Sequence, residues 1–422
     1  MSPRYRHRRG SAYAVVLSIV LLATVMALGA LAALRREREV RVAEESASRA
    51  RAEALGALEI GVQRLVNAAP WRASVASSGV LGKFPTGAGA SQAVSVVIAQ
   101  SPAGGAISTD LSAPIVLESE AVAGAARQRY RIELTPAGTP IDALTSALHS
   151  VGAMTISSAV VRGWSAPDAG TFGVLGSDSS VTASSSTVAA AVYAAGSITG
   201  STYSGGTRAN AGLRTMPAVD IFERYRALGT AVNITSIPSR TIQRRVISPG
   251  AGAYGVADAS GIYVIDAGGN DLTIRDSRIA ATLVLINVNR LTIAGCVNWE
   301  PAAPGLPALL LQGELDMQPD ATELRETSFG VNFNPVSTPY QGSSDADTAD
   351  SYSNLIRGVV YVSGNAQVRG NSAVIGSMLV GGSVAVSGTV HLRAQLTTIT
   401  PTGFTTGADF APVAGSLERV VD

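Results

Sequence analysis

Residues 11–34 contain no charged side chain, and arginines bracket that run on both sides. Residues 1–10 read MSPRYRHRRG, with Arg4, Arg6, Arg8 and Arg9, and Arg35, Arg36, Arg38 and Arg41 follow the run. As a helix rising about 1.5 Å per residue, the run is about 36 Å long, enough to cross a hydrocarbon core of about 30 Å with some tilt. Arginines ahead of such a run predict a cytoplasmic N-terminus, and the basic residues after it pull the other way. Gly29, Ala30, Ala32 and Ala33 are small enough to let a second helix approach closely. The alternative is a cleaved secretory signal: Ala30-Leu31-Ala32 is an A-x-A-like site, although the run is longer than the usual apolar region of about 7–15 residues.

Helical periodicity continues through residues 35–67. Ala43, Ala47, Ala50, Ala54, Leu58, Gly61 and Leu65 share one stripe. On the other side Glu37, Arg41, Glu45, Arg49 and Glu53 alternate in sign four residues apart, a spacing that adds about 0.2–0.5 kcal/mol per pair. Pro70 closes the pattern, because proline disfavours the helical conformation in the residue before it. Residues 12–67 are therefore expected to form one helix of about 84 Å, half in lipid and half outside.

A short basic leader ending in glycine, an uninterrupted apolar stretch and an amphipathic continuation together resemble the type IV pilin-like family, which includes type II secretion pseudopilins. The resemblance covers residues 1–67. It implies cleavage between Gly10 and Ser11 by a membrane peptidase, and partners among other pilin-like subunits and an inner-membrane assembly platform. Most members carry Phe or Met at the first mature position and Glu at the fifth. Here those positions are Ser11 and Val15. Without that Glu the subunit offers no charge to a neighbour ahead of it, which implies a minor or tip subunit, as in the PilX-type minor pilins and the tip pseudopilin.

The rest of the chain is read from pattern. A length of 422 residues implies two or three structural units. A net charge of +1 argues against nucleic acid as a partner, and 46% apolar residues against disorder. Aromatic residues make up only 5%, so the core must be built from Val, Ile, Leu and Ala. A single cysteine, Cys296, excludes an intramolecular disulfide. Residues 71–150 suggest a small α+β unit, with strands at 93–99, 115–119 and 129–134 and a short helix at 140–150. Beyond residue 151, Leu272-Thr273-Ile274 returns as Leu291-Thr292-Ile293, and the segment at 356–374 is followed by a similar one at 375–392. Short strands broken by glycine cannot each bury a face alone, but stacked coils can. The expectation is a right-handed parallel β-helix over 151–395, with a helical excursion at 217–228 and a polar loop at 335–353. Residues 396–422 are expected as a tail. The fold class is thus α+β: a long membrane helix (11–34 in lipid, 35–67 amphipathic), a small α+β unit and a solenoid. In architecture the solenoid resembles both the pectin-cleaving β-helix superfamily and the polymer-forming bactofilins.

Candidate chemistry is sparse. Asp266, Asp271 and Asp276 recur every five residues; they suit calcium or sugar binding, but capping of turns is the expected role. Asp345, Asp347 and Asp350 are metal candidates in a loop that lacks the glycine and distal Glu of an EF-hand, so a solvated loop is expected. Arg275, Arg278 and Arg290 are the cations that a lyase would need nearby. Cys296 aligns with Ser277 as a small residue in a ladder, and His149 is placed at a helix end. His391 lies in strand-like sequence. No motif assembles these residues into a catalytic site, so the chain is expected to be non-enzymatic, to need no cofactor, and to sit in a bacterial inner membrane as a single-pass protein with most of its mass outside the cytoplasm. The alternative is a membrane-tethered β-helix that binds or degrades an envelope polysaccharide.

Overall fold

The computed structural model describes residues 9–67, 75, 80–86, 93–101, 114–136, 138–163, 174–394, 403–406 and 410–420. Arg9–Asn67 form one helix, α1, of 59 residues, about 88 Å long. Nothing in its sequence interrupts it, since residues 9–67 contain no proline. Two of the expected side-chain pairs form, Arg41 with Glu37 at 2.5 Å and Arg49 with Glu53 at 2.9 Å.

The outer half of α1 packs on an antiparallel sheet of Val80–Thr86 (β1), Ala93–Gln100 (β2), Ile115–Ala123 (β3) and Ala126–Pro136 (β4), paired in chain order. Alternation along β3 explains the contact. Ile115, Leu117 and Ala121 are buried, as is Ser119, whose hydroxyl donates to the Ala54 carbonyl at 2.8 Å. Glu118 and Glu120 face away and pair with Arg129 and Arg127 on β4. On the helix, Ala50, Ala54, Ala57, Leu58 and Leu65 are buried. Gly61 lets the sheet come close, because a Cβ there would stand 3.1 Å from Val97 Cγ1. Ala43, the first residue of the expected stripe, is exposed: burial begins only near Ser46, so the turns below stand clear of the sheet. Phe410–Pro412 and Glu418–Arg419, from the segment read as a tail, pair with β4, and Phe410 enters the same core.

The helix expected at 140–150 is corrected. Asp142–Thr145 form a single 3-10 turn and Leu148–Ser150 a strand, held between Met378–Val380 and Leu175–Ser177. Pairing on both edges overrides the local helical pattern.

That strand belongs to a 20-stranded parallel sheet in which two ladders run along the stack beside a third, shorter one through Ile247, Ile279, Trp299, Ile356, Val374 and Leu392. In the first, Thr230, Tyr263, Leu283, Leu309, Val360, Met378, Leu148, Leu175, Val192 and Thr207 are successive neighbours. In the second, Ile242, Ile274, Ile293, Met317, Val368, Val386, Ile156, Ala183 and Gly200 are. Side chains from both ladders share one core of mainly Val, Ile, Leu and Ala, which is what the scarcity of aromatics demanded. The repeat read in the sequence is a true register: Leu272, Thr273 and Ile274 lie against Leu291, Thr292 and Ile293.

The stacking order is not the chain order, which corrects the simple solenoid expected. The segment 148–203 stacks on 373–393, not on 230–247. The chain therefore starts inside the stack, builds outward to one end, crosses back through 209–229, and returns coil by coil to pair with its own first strand. This covers the strand edge that residues 373–393 would otherwise leave open. The crossing segment holds the expected helix, α2 (Ile221–Leu228), ended by Gly229. Its Ile221, Phe222 and Tyr225 lie over Val264, Val284, Leu310 and Leu379, so strands such as Thr282–Ile286 are buried on both faces.

Candidate functional site

The two halves of α1 lie in different surroundings. From Tyr13 to Leu34 every large apolar side chain is exposed, for example Val15 at 58% and Leu34 at 64%. Around Gly29 an added Cβ would meet nothing within 4 Å, and Ala30, Ala32 and Ala33 share the same exposed stretch. The helix is long and apolar enough to cross a membrane, with a mean hydropathy of 2.6 over its most apolar window. Residues 1–8 lie outside the described residues. Gly10 and Ser11 fall in the first turns of α1, with side-chain surroundings outside the description.

Where α1 leaves its apolar stretch, a cleft of about 670 Å³ opens between the helix and the β3–β4 turn. Arg35, Arg38, Glu39 and Val42 line one side, and residues 124–126 the other. Sequence reading missed it, because its walls are some ninety positions apart and nothing local signals their meeting.

In the aspartate series Asp266 caps its own turn, as expected, while Asp271 and Asp276 bond to the neighbouring coil instead. Asp266 accepts from the Gly268 N–H at 2.9 Å and from Asn287, which holds its carboxyl below the usual range. Asp271 accepts from Asn289 at 2.7 Å. Asp276, with a φ of 47°, accepts the Cys296 N–H at 3.1 Å across a β-bulge. That bulge shifts the register, so Ser277 faces Val297, and Cys296 does not align with Ser277 as expected. Cys296 is buried instead beside Leu324, Phe333 and Tyr352, and burial raises its thiol pKa, which leaves it unreactive.

The arginines near this series are committed to structure. Arg278 is fully buried and donates to the carbonyls of Phe333, Thr338 and Pro339 at 2.7, 2.7 and 2.9 Å. It fixes the 335–353 loop and is closed to substrate. Arg275 pairs with Asp276, and Arg290 with Glu314. In the loop, Asp350 accepts from Asn334 at 2.9 Å, Asp347 caps its own turn through the Ala349 N–H, and the Asp345 backbone carbonyl accepts from Asn332. Burial, then the neighbouring Asp345 and Glu326, push the Asp350 pKa up. Among the described residues no three His, Cys, Asp or Glu side chains converge to hold a metal.

His149 does not cap a helix. It lies fully buried in a strand, its Nδ1 2.7 Å from the Tyr193 hydroxyl, which in turn meets Ser146 Oγ at 2.8 Å. Asp178 Oδ1 is 3.4 Å from His149 Nε2. Burial lowers the imidazole pKa, and Asp178 only partly opposes it. This network is closed to solvent, so it can organise the core but cannot act on a ligand. A second cleft, of about 590 Å³, gathers Arg162, Asp320, Glu323, Asn354 and His391 from four distant parts of the chain. The pairing of 384–393 with 154–163 brings Arg162 beside His391, a meeting that no spacing in the sequence announces.

No family model matches the chain. No curated protein matches it. Among solved structures, the competence-associated pilin ComZ from Thermus thermophilus superposes with a TM-score of 0.34 at 12% identity, covering 89% of this chain and 97% of that one. An ice binding protein from an Antarctic biological consortium superposes with a TM-score of 0.30 at 12% identity, covering 61% of this chain and 93% of that one.

Proposed function

We propose that the chain is a membrane-anchored, pilin-like minor subunit of a type IV pilus or type II secretion-like system, and that it carries a right-handed β-helix outside the cytoplasm. One observation supports this most: a single helix is apolar and exposed around its first half and packed on a sheet over its second. In this reading the first half stays in the inner membrane, N-terminus in the cytoplasm, until neighbouring helices replace lipid around it. Each Å² of apolar surface kept from water is worth about 25 cal/mol, so the exchange is possible only between apolar surroundings. Gly29, Ala30, Ala32 and Ala33 give neighbours close approach. Val15 in place of Glu leaves the subunit without a charge for one ahead, which suits the tip. The subunit works by display, without catalysis.

Membrane fractionation with mass spectrometry of the mature chain tests the reading. It expects a membrane-bound polypeptide beginning at Ser11 that co-purifies with other pilin-like subunits. A soluble product beginning near Ala33 refutes it.

A second reading rests on the cleft around Arg162 and His391, where a cation, an imidazole and the carboxylates of Asp320 and Glu323 meet. This set suits binding or cleavage of an acidic envelope polysaccharide. A glycan array and a reducing-end assay, with and without calcium, separate it from the first.

A further inference from the structure

We propose that the cleft between α1 and the β3–β4 turn binds the headgroup of an anionic phospholipid, with Arg35 and Arg38 on its phosphate. The inference rests on the reading of α1 as a membrane anchor. The apolar run stops at Leu34, and Arg35, Arg36 and Arg38 follow within its next turn. Arg41 pairs with Glu37, whereas Arg35, Arg36 and Arg38 carry no acid partner among the described residues. Three guanidinium groups at one level of the helix therefore lack a counter-charge.

Depth points to the source of that charge. The polar zone of a leaflet is about 5–8 Å deep, and a helix rises about 1.5 Å per residue. Arg35 and Arg38 thus stand about 2–6 Å beyond the hydrocarbon, at the level of lipid phosphates. Guanidinium forks match phosphate oxygens in pairs of hydrogen bonds.

The fold adds what a bare basic flank lacks, a second wall. Residues 124–126 read Gly-Ala-Ala and bring no charge. Gly124 has a φ of 57° and turns the chain against Ser46; a Cβ there would stand 3.0 Å from Ser46 Oγ. The turn meets α1 at Ser46, the end of the cleft away from the apolar run, and Arg35 and Arg38 line the end next to it. Val42, Ala43 and the alanines give the cleft an apolar lining for the glycerol end of a lipid. Glu39 is the one carboxylate in that lining, so the two lining arginines leave the cleft a net cation.

The test reconstitutes the full chain in nanodiscs of equimolar phosphatidylcholine and phosphatidylglycerol and counts retained lipids by native mass spectrometry. Two basic side chains facing anionic lipid imply roughly tenfold or greater enrichment of phosphatidylglycerol. Arg35→Gln with Arg38→Gln should bring the ratio close to parity. The charge-matched control, Arg36→Gln with Arg41→Gln, lies off the cleft and should keep most of the enrichment. Equal retention of both lipids, or equal loss in both double variants, overturns the proposal while leaving the anchor intact. Retention of a second copy of the chain in place of lipid, indifferent to phosphatidylglycerol, also overturns it. Failure of the chain to enter nanodiscs removes the anchor itself, and the proposal with it.

Discussion

Two ladders of the parallel sheet are built alike and finished differently. In the first, the outward row runs Ala231, Val264, Val284, Leu310, Tyr361, Leu379 and His149. In the second, it runs Thr241, Thr273, Thr292, Asp316, Gln367, Ala385, Thr155, Thr182 and Thr199. The inward rows of both are apolar, so the shared core does not distinguish them. The outward rows do. An apolar outward row must be covered, and the segment that returns the chain to the far end of the stack covers it, with α2 lying across the middle. A polar outward row can face water, and Thr155, Thr182, Thr199 and Gln367 are exposed.

The sharpest way to break this contrast is to place a charge under α2. Leu310 is fully buried between the sheet and the covering segment. Leu310→Asp buries an unpaired carboxylate there, and the expected loss exceeds about 4 kcal/mol. Chemical denaturation, or failure of the variant to accumulate folded, reports it. Removing only the cover is milder. Phe222→Ala empties the space above Tyr361, whose ring centroid lies 5.6 Å away, and should cost about 3 kcal/mol. If Phe222→Ala were neutral, α2 would not be the cover.

The first row passes through His149, which gives the contrast a pH dependence. Asp178, Arg214, Asp142 and the Tyr193 hydroxyl face the imidazole, and burial sets the sign. The folded pKa lies below the ordinary 6.5, so the unfolded chain binds the proton more tightly. Stability is complete above about pH 6.5 and falls as the pH drops towards the folded value. Melting temperatures from pH 8 to 5 should show this fall, and His149→Gln should flatten it. A wild-type profile that rises on acidification contradicts the assignment.

How much of this could be read in the sequence depends on how local the signal was. The 11–34 run and the alternating charges after it are local, and α1 appears as one helix. The Leu-Thr-Ile repeat sits at a fixed offset, and it recurs as a register in space. The helix after residue 217 carried its own stop at Gly229. The strand at 148–150 was hidden, because its partners are at 175–177 and 378–380, and only pairing on both sides outweighs the local helical pattern. The order of the stack was hidden for the same reason: no residue near 148 announces that the chain will return to it from 393. The role of Arg278 required knowing that three carbonyls of a distant loop converge on it. Both clefts likewise join segments that only the finished fold makes neighbours. Asp266 was legible because turn capping is a matter of two or three residues, whereas the partners of Asp271 and Asp276 lie on the next coil.

The smallest effect is expected on the open row, and it is the most informative control. Thr155, Thr182 and Thr199 are exposed neighbours at one end of the second ladder, linked by a Thr199–Thr182 hydroxyl contact at 3.3 Å. Thr155→Val and Thr182→Val keep the β-branched shape that a strand prefers and remove exposed hydroxyls, of which that of Thr182 also accepts from Thr199. Each should change stability by less than about 0.5 kcal/mol, measured by the same denaturation as Leu310→Asp. The two sets of variants occupy outward positions on parallel strands of one sheet, one under the covering segment and the other exposed. A loss on the threonine row as large as that of Phe222→Ala would mean that the row is also covered, by a part of the chain or by a second copy. Dilution separates those cases, because only a second copy makes the loss depend on protein concentration.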